Sequence, residues 1–150
     1  MNTQDSKDST GSVDVSKKIG QKKFQVGKGS ETFARTVKAL TEYVGQEYGH
    51  EMRLLISQGR ETTYINPQLP EKATEEQKMM WNKDYYEYIK DRREYRKNKG
   101  RVFAIVLGLC DETMKNRIES LSQYDKMEKD LDVVDLLREI KSIAFESSEK

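Results

Sequence analysis

Apolar residues recur at helical spacing along most of the chain after residue 30. The first such face lies on a helix predicted over residues 31–46, and it consists of Phe33, Val37, Leu40 and Val44. The intervals between these residues are four, three and four, which places them on one side of a helix. Ser30 is suited to cap the N-terminus of this helix, and Gly45 and Gly49 mark its end.

The next segment combines a short helix with an extended connection. Residues 50–58 carry Met52, Leu55 and Ile56 at helical spacing and stop at Gly59, which predicts a second helix. Residues 60–73 contain two prolines, which fix φ and lack an N–H donor. We therefore expect residues 60–73 to be extended.

The longest predicted helix starts at Thr74 and runs to about residue 99. Thr74 and Gln77 have the spacing of a capping box, in which each side chain accepts from the other residue's backbone N–H. The apolar face of this helix is mostly aromatic and consists of Trp81, Tyr85, Tyr88, Ile89 and Tyr95. Gly100 is expected to break or bend the chain after it.

The last third of the chain predicts further helices. Residues 102–109 are apolar and fit a buried helix better than a strand, because no partner strand is evident elsewhere. Asp111 caps a following helix, and residues 122–130 form a polar connection. Asp132 then caps a final helix, whose apolar face consists of Val133, Leu136, Leu137, Ile140, Ile143 and Ala144.

These patterns predict an all-α fold, a bundle of five to six amphipathic helices over residues 30–150. No helix can bury its apolar stripe alone, so the helices must pack on one another. The expected core residues are Phe33, Val37, Leu40, Trp81, Ile105, Leu109, Ile118, Leu136 and Ile140. Residues 1–29 are polar and basic, with isolated apolar residues such as Ile19 and Phe24, and are predicted to be a disordered tail.

Composition favours a non-enzymatic intracellular protein. The chain has 27 basic and 26 acidic residues, so its net charge does not point to nucleic acid. His50 and Cys110 are the only histidine and the only cysteine, and they lack the companions of a metal or catalytic site. Cys110 precedes a helix N-terminus, which could activate its thiol, but a small core residue is the preferred interpretation. We expect no cofactor, no small-molecule substrate and no membrane span, and a cytoplasmic location.

Two clusters are candidates for binding. The densest basic cluster is Lys90, Arg92, Arg93, Arg96, Lys97, Lys99 and Arg101. Cations interleaved with aromatic rings can follow a phosphate backbone and stack on bases, although a solvated helix end is the alternative. Tyr85, Tyr88 and Tyr95 exceed what a modest bundle must bury and are candidates for self-association. The last forty residues hold eleven acids and seven bases, so copies could dock head to tail.

Three segments resemble the Gag-like polyproteins of copia-type retrotransposons with long terminal repeats. They are TVKALTEYVGQEYGHEMRLLI (36–56), the sequence from MMWNKDYYEYIK to SLSQYDKM (79–127), and DVVDLLREIKSIAFE (132–146). The shared features are Tyr43-Val44-Gly45 at a helix end, a proline connection before Trp81, Gly108-Leu109-Cys110 after an apolar helix, and Met114, Ile118 and Glu119 in the next one.

The resemblance implies the N-terminal part of a capsid domain that self-associates weakly and helps to package element RNA without sequence preference. Members of that family usually continue into a second capsid domain and a Cys-Cys-His-Cys zinc knuckle. The alternative function is a cellular helical adaptor or regulatory domain that binds a partner protein. An enzyme ranks third and would require a pocket that joins His50 or Cys110 to other polar groups.

Overall fold

The computed structural model describes Ile19 and residues 23–146, and in this part of the chain six helices form the fold. They are α1 (Gly29–Tyr48), α2 (His50–Gln58), α3 (Glu75–Gly108), α4 (Glu112–Glu119), α5 (Tyr124–Asp130) and α6 (Val133–Glu146). The predicted all-α bundle of amphipathic helices is confirmed.

Helix α6 lies at the centre of the bundle and contacts every other helix. Its buried residues are the six of the predicted apolar face: Val133, Leu136, Leu137, Ile140, Ile143 and Ala144. Because the face covers nearly two residues in each turn, it can be shared among several neighbouring helices. Asp132 caps the helix as predicted, since its side chain accepts from the backbone N–H of Asp135 at 2.9 Å.

The expected core is largely correct. Five of the nine named residues are fully buried, namely Leu40, Leu109, Ile118, Leu136 and Ile140. Phe33, Val37 and Ile105 are partly buried against that core. Trp81 is not part of the core, so this prediction was wrong. Trp81 has the spacing of a helical face, but the bundle does not reach this part of α3.

Helix α3 continues through Gly100, where a break or a bend was predicted. A glycine costs about 1 kcal/mol relative to alanine inside a helix. After Gly100, the helix buries Val102, Phe103 and Val106. Their burial outweighs the cost of the glycine, since each buried side chain of this size contributes about 1.5–3 kcal/mol. The two helices predicted on either side of Gly100 are therefore one helix of 34 residues.

Phe24 belongs to the core, although it was expected to be an isolated apolar residue of the tail. It is 1% exposed and forms a parallel β-bridge with Cys110. Its N–H donates to the carbonyl of Leu109 at 2.9 Å, and its carbonyl accepts from Asp111 at 3.0 Å. The chain just before α1 is thus attached to the α3–α4 junction. The rest of the predicted tail, residues 1–18 and 20–22, lies outside the described residues.

Several helix ends differ from the predicted ones. α1 begins at Gly29 after Lys28, without a side-chain cap, so Ser30 does not have the predicted capping role. α1 also continues past Gly45, whose missing Cβ would lie 3.1 Å from the Arg53 side chain, and it ends before Gly49. Residues 122–130, predicted as a polar connection, contain α5, whose Tyr124 and Met127 are buried.

Candidate interaction surface on the α3 arm

The first twenty residues of α3 project from the bundle. All buried side chains of α3, which are Tyr95, Val102, Phe103 and Val106, lie in its second half. Residues 75–94, here called the arm, include none of them and extend for about 30 Å. The capping box predicted at Thr74 and Gln77 is present, with bonds of 3.1 and 2.9 Å, and it fixes the start of the arm.

The connection between α2 and α3, residues 59–74, runs back along the arm. The N–H of Thr62 donates to the Tyr95 hydroxyl at 2.9 Å, and the indole N–H of Trp81 donates to the carbonyl of Pro67 at 3.0 Å. The extended segment from Thr62 to Pro67 spans about 17 Å, close to the roughly 21 Å of helix between Tyr95 and Trp81. Because Thr62 is bonded to Tyr95 and Pro67 to Trp81, the connection and the arm are antiparallel neighbours.

Tyr95 lies at the base of this arrangement and is 8% exposed. The Tyr64 ring packs edge-on against its ring at 5.8 Å, and burial raises the pKa of the Tyr95 hydroxyl. Since its ring and hydroxyl are both engaged within the chain, Tyr95 does not contribute to an exposed self-association surface. The predicted self-association surface is therefore reduced to Tyr85 and Tyr88.

The remaining aromatic residues of the predicted stripe form a row on the arm. Trp81 stacks on Tyr85 with ring centroids 5.1 Å apart, and Tyr85 lies 6.2 Å from Tyr88. Arg92 extends the row, because its guanidinium lies 5.3 Å from the Tyr88 ring and donates to its hydroxyl at 3.1 Å. Tyr85 remains 38% exposed, so the connection covers this row only in part.

The predicted basic cluster divides into two groups. Lys99 forms an ion pair of 3.3 Å with Glu61 and is only 14% exposed, and Arg101 lies 6.0 Å from the Tyr48 ring. Lys99 therefore serves mainly to hold the connection in place. The other members reach solvent, and among the described residues Lys90, Arg93, Arg96 and Lys97 have no ion pair.

Four of the six acidic residues of the arm lie together on a different side. Asp84, Glu87, Asp91 and Glu94 follow at intervals of three, four and three, so they form one stripe. Asp91 and Glu94 line a cleft of about 530 Å³ together with Glu47 and Glu51 from the α1–α2 corner. Burial raises the pKa of the neighbouring Tyr64, and the charges of Glu51 and Asp91 raise it further.

Sequence reasoning missed the exposed apolar residues of this region. The large apolar side chains that are exposed in the described part of the chain are Ile65, Leu69, Met79, Met80, Tyr85 and Tyr86. All of them lie on the arm or on the connection beside it. Met79 and Tyr86 are seven residues apart, which was a detectable signal, but both fall outside the Trp81 stripe and were not considered.

The two residues considered for catalysis do not meet. His50 is exposed at the start of α2. Cys110 is 6% exposed and packs in the core as predicted, and burial raises the pKa of its thiol to about 12. The thiol is thus the opposite of the activated nucleophile that a helix N-terminus could create. Among the described residues, no group of three or more histidine, cysteine or acidic side chains could hold a metal ion.

Comparisons of the chain with protein-family models, with curated proteins and with solved structures found no match. Within the part of the chain that the structure describes, no helix has the length and apolarity needed to cross a bilayer.

Proposed function

We propose that this chain is a non-enzymatic structural domain whose arm associates with further copies of the chain. The observation that carries the proposal is the concentration of exposed large apolar side chains on the arm and its connection. Apolar side chains grouped at one place on a surface are typical of interaction sites, whereas scattered ones need no explanation. With the resemblance, this supports a Gag-like capsid domain that acts in the cytoplasm and helps to package element RNA.

Charge on the arm supports contacts between different surfaces of two copies. The acidic stripe and the exposed cations lie on different sides of the same helix, so one copy can offer cations where a neighbour offers carboxylates. Such heterologous contacts build rings or open lattices rather than closed dimers. Two acids in the last third of the chain, Glu146 and Asp130, are less suited to this role, because they already pair with Arg117 and Lys126.

Sedimentation velocity over a concentration series tests the proposal. Each contact in a lattice is weak, so the isolated chain should be mainly monomeric at micromolar concentration. Fusion to a trimerising coiled coil raises the local concentration and should produce larger, concentration-dependent species. The triple variant Met79→Ser, Met80→Ser, Tyr86→Ser should abolish these species without lowering the helical content.

A matched control is the pair Ala34→Ser and Ala104→Ser, at exposed positions on the bundle, which should assemble as the unmodified fusion does. An unmodified fusion that never exceeds its own trimer, or a triple variant that still assembles, would contradict assembly through the arm. A tight and discrete dimer of the isolated chain would favour the adaptor function instead.

One observation favours that alternative function. A groove of about 620 Å³ lies between α1, α2 and α6, with Phe33, Val37 and Phe145 among its lining residues. Lys38, Arg53 and Lys141 stand at its edge with a single acid, Glu42. An adaptor that binds an acidic, amphipathic partner helix would use such a groove. A labelled helix of this kind should then bind the unmodified chain and fail to bind Val37→Glu.

A further inference from the structure

One face of α3 carries no acidic residue between Met79 and Lys97. Met79, Lys83, Tyr86, Lys90, Arg93 and Lys97 follow at alternating intervals of four and three, which keeps them on a single face of α3. We call these six residues the basic face. It shares Lys90, Arg93 and Lys97 with the predicted basic cluster. It adds Met79, Lys83 and Tyr86, and it excludes Arg92, Arg96, Lys99 and Arg101.

The cations of the basic face form no ion pair within the part of the chain that the structure describes. Lys83, Lys90, Arg93 and Lys97 are all exposed. The acids between Met79 and Lys97 stand on the neighbouring stripe, where Asp91 and Glu94 line the cleft at the α1–α2 corner. The basic face therefore presents four cations to solvent along about 21 Å of helix.

Tyr86 gives the basic face a second property. Its side chain is 75% exposed and lies between Lys83 and Lys90, with Met79 one turn before Lys83. An exposed ring between cations suits a ligand that carries negative charge and flat apolar surfaces together. Single-stranded nucleic acid has both, since its phosphates attract cations and its unpaired bases stack on aromatic rings.

We propose that the basic face binds single-stranded nucleic acid through Lys83, Lys90, Arg93 and Lys97, with a base stacked on Tyr86. The inference rests on the proposed function, because it names the surface by which such a domain would contact the RNA it helps to package. A stacked strand advances about 3.4 Å per nucleotide, so the face matches about six nucleotides. Binding is independent of sequence, since no element of the face reads base edges.

Fluorescence anisotropy with a labelled twelve-nucleotide oligouridylate tests this inference. For four phosphate contacts, the logarithm of the binding constant should fall with the logarithm of salt concentration with a slope of about −2.8. The double variant Lys90→Gln, Lys97→Gln should reduce the magnitude of this slope by about 1.4. Tyr86→Ala should weaken binding about five-fold or more, and Tyr86→Phe should preserve it, because stacking uses the ring.

Lys126→Gln combined with Lys141→Gln removes the same charge from the bundle and should leave the affinity unchanged. The inference is overturned if the unmodified chain does not bind oligouridylate, if the double variant binds with the same slope, or if a duplex or polyglutamate of equal charge binds as tightly. Failure here is distinguishable from failure of the proposed function, because self-association of the fusion is read by sedimentation in the absence of nucleic acid.

Discussion

Phe24 shows how much a single side chain outside the helices contributes to this fold. Its ring packs 5.5 Å from that of Phe33, and its backbone is bonded on both sides of Cys110. Truncation of a buried phenylalanine removes apolar contacts and leaves a cavity, so Phe24→Ala should lower the free energy of unfolding by about 3–5 kcal/mol. Denaturant titration followed by circular dichroism measures this loss.

Ile65→Ala is the control for Phe24→Ala, because Ile65 is 88% exposed. Its effect should lie within about 0.5 kcal/mol. Equal midpoints for Phe24→Ala and the unmodified chain would show that the segment before α1 does not pack in solution. The sequence could not predict this contact, because a lone apolar residue among polar ones has no periodicity that reveals its partner.

Cys110 predicts a dependence of stability on alkaline pH. The pKa of the thiol is about 12 in the folded chain against 9.0 for the free side chain, because burial disfavours the thiolate. The unfolded thiol therefore loses its proton first as the pH rises, so the contribution of Cys110 is complete below pH 9 and is lost between pH 9 and 12. Tyr124, whose pKa is raised to about 12, acts in the same direction.

Cys110→Ala isolates this contribution. The variant should be less stable at pH 8 because of the lost volume, but its stability should fall less steeply above pH 9. The slope of the free energy of unfolding against pH should differ between the variant and the unmodified chain by about 1 kcal/mol per pH unit. One proton can contribute at most about 1.4 kcal/mol per pH unit. Denaturant midpoints at half-unit intervals of pH measure them. Parallel curves would show that the thiol ionises equally in both states.

At the scale of the helices, Gly100 is the position where substitution should increase stability. It lies within α3, and a Cβ there would meet only Leu131, at an ordinary contact distance of 3.6 Å. Alanine loses less conformational freedom on folding, so Gly100→Ala should raise the free energy of unfolding by about 0.5–1 kcal/mol. Gly49→Ala, at a φ of +98°, should destabilise the chain. Thermal unfolding of both variants would decide, and a destabilising Gly100→Ala would mean that the glycine is needed for close packing.

The helix boundaries show which features a sequence can predict. The caps at Thr74, Asp111 and Asp132 were correct, because a cap depends on residues within one turn of itself, whereas the cap at Ser30 was wrong because α1 begins one residue earlier, at Gly29. The predicted helix end near residue 99 was wrong, because packing with distant residues outweighed the local propensity of Gly100. Tyr124 and Met127 gave too short an apolar pattern to reveal α5, whose packing against α6 helps to stabilise so short a helix.

The candidate site likewise combines local patterns that a sequence reveals with packing that it does not. The sequence identified the cations and the aromatic row, since both are linear patterns on one helix. It could not show that the connection occupies Tyr95 and Lys99 while Met79 and Tyr86 remain free, because periodicity reveals which residues share a face and not what covers that face. The length of α3 beyond the bundle was the missing information.

At the scale of the whole molecule, the arm should unfold independently of the bundle. It contributes no buried side chain, and the interactions of residues 75–94 with the rest of the chain are made mainly with the connection. A proline inside a helix costs about 3 kcal/mol or more. In Asn82→Pro this cost falls on a segment that can open alone, so the melting temperature should stay within a few degrees while helical content falls by about the length of the arm.

Ala104→Pro provides the contrast, because Ala104 is exposed on the same helix but lies between Phe103 and Val106 of the core. Its cost cannot be confined to the arm, since the second half of α3 packs with α6, so the whole bundle should melt at a much lower temperature.

Hydrogen exchange should show the same division, with faster exchange at residues 79–90 than at residues 99–106. Binding of a second copy or of a nucleic-acid strand on the arm would slow the fast group alone, because only that group opens without the bundle. Equal loss of stability in the two proline variants would show that the arm and the bundle unfold as one unit, and the arm would then not be an independent platform for assembly.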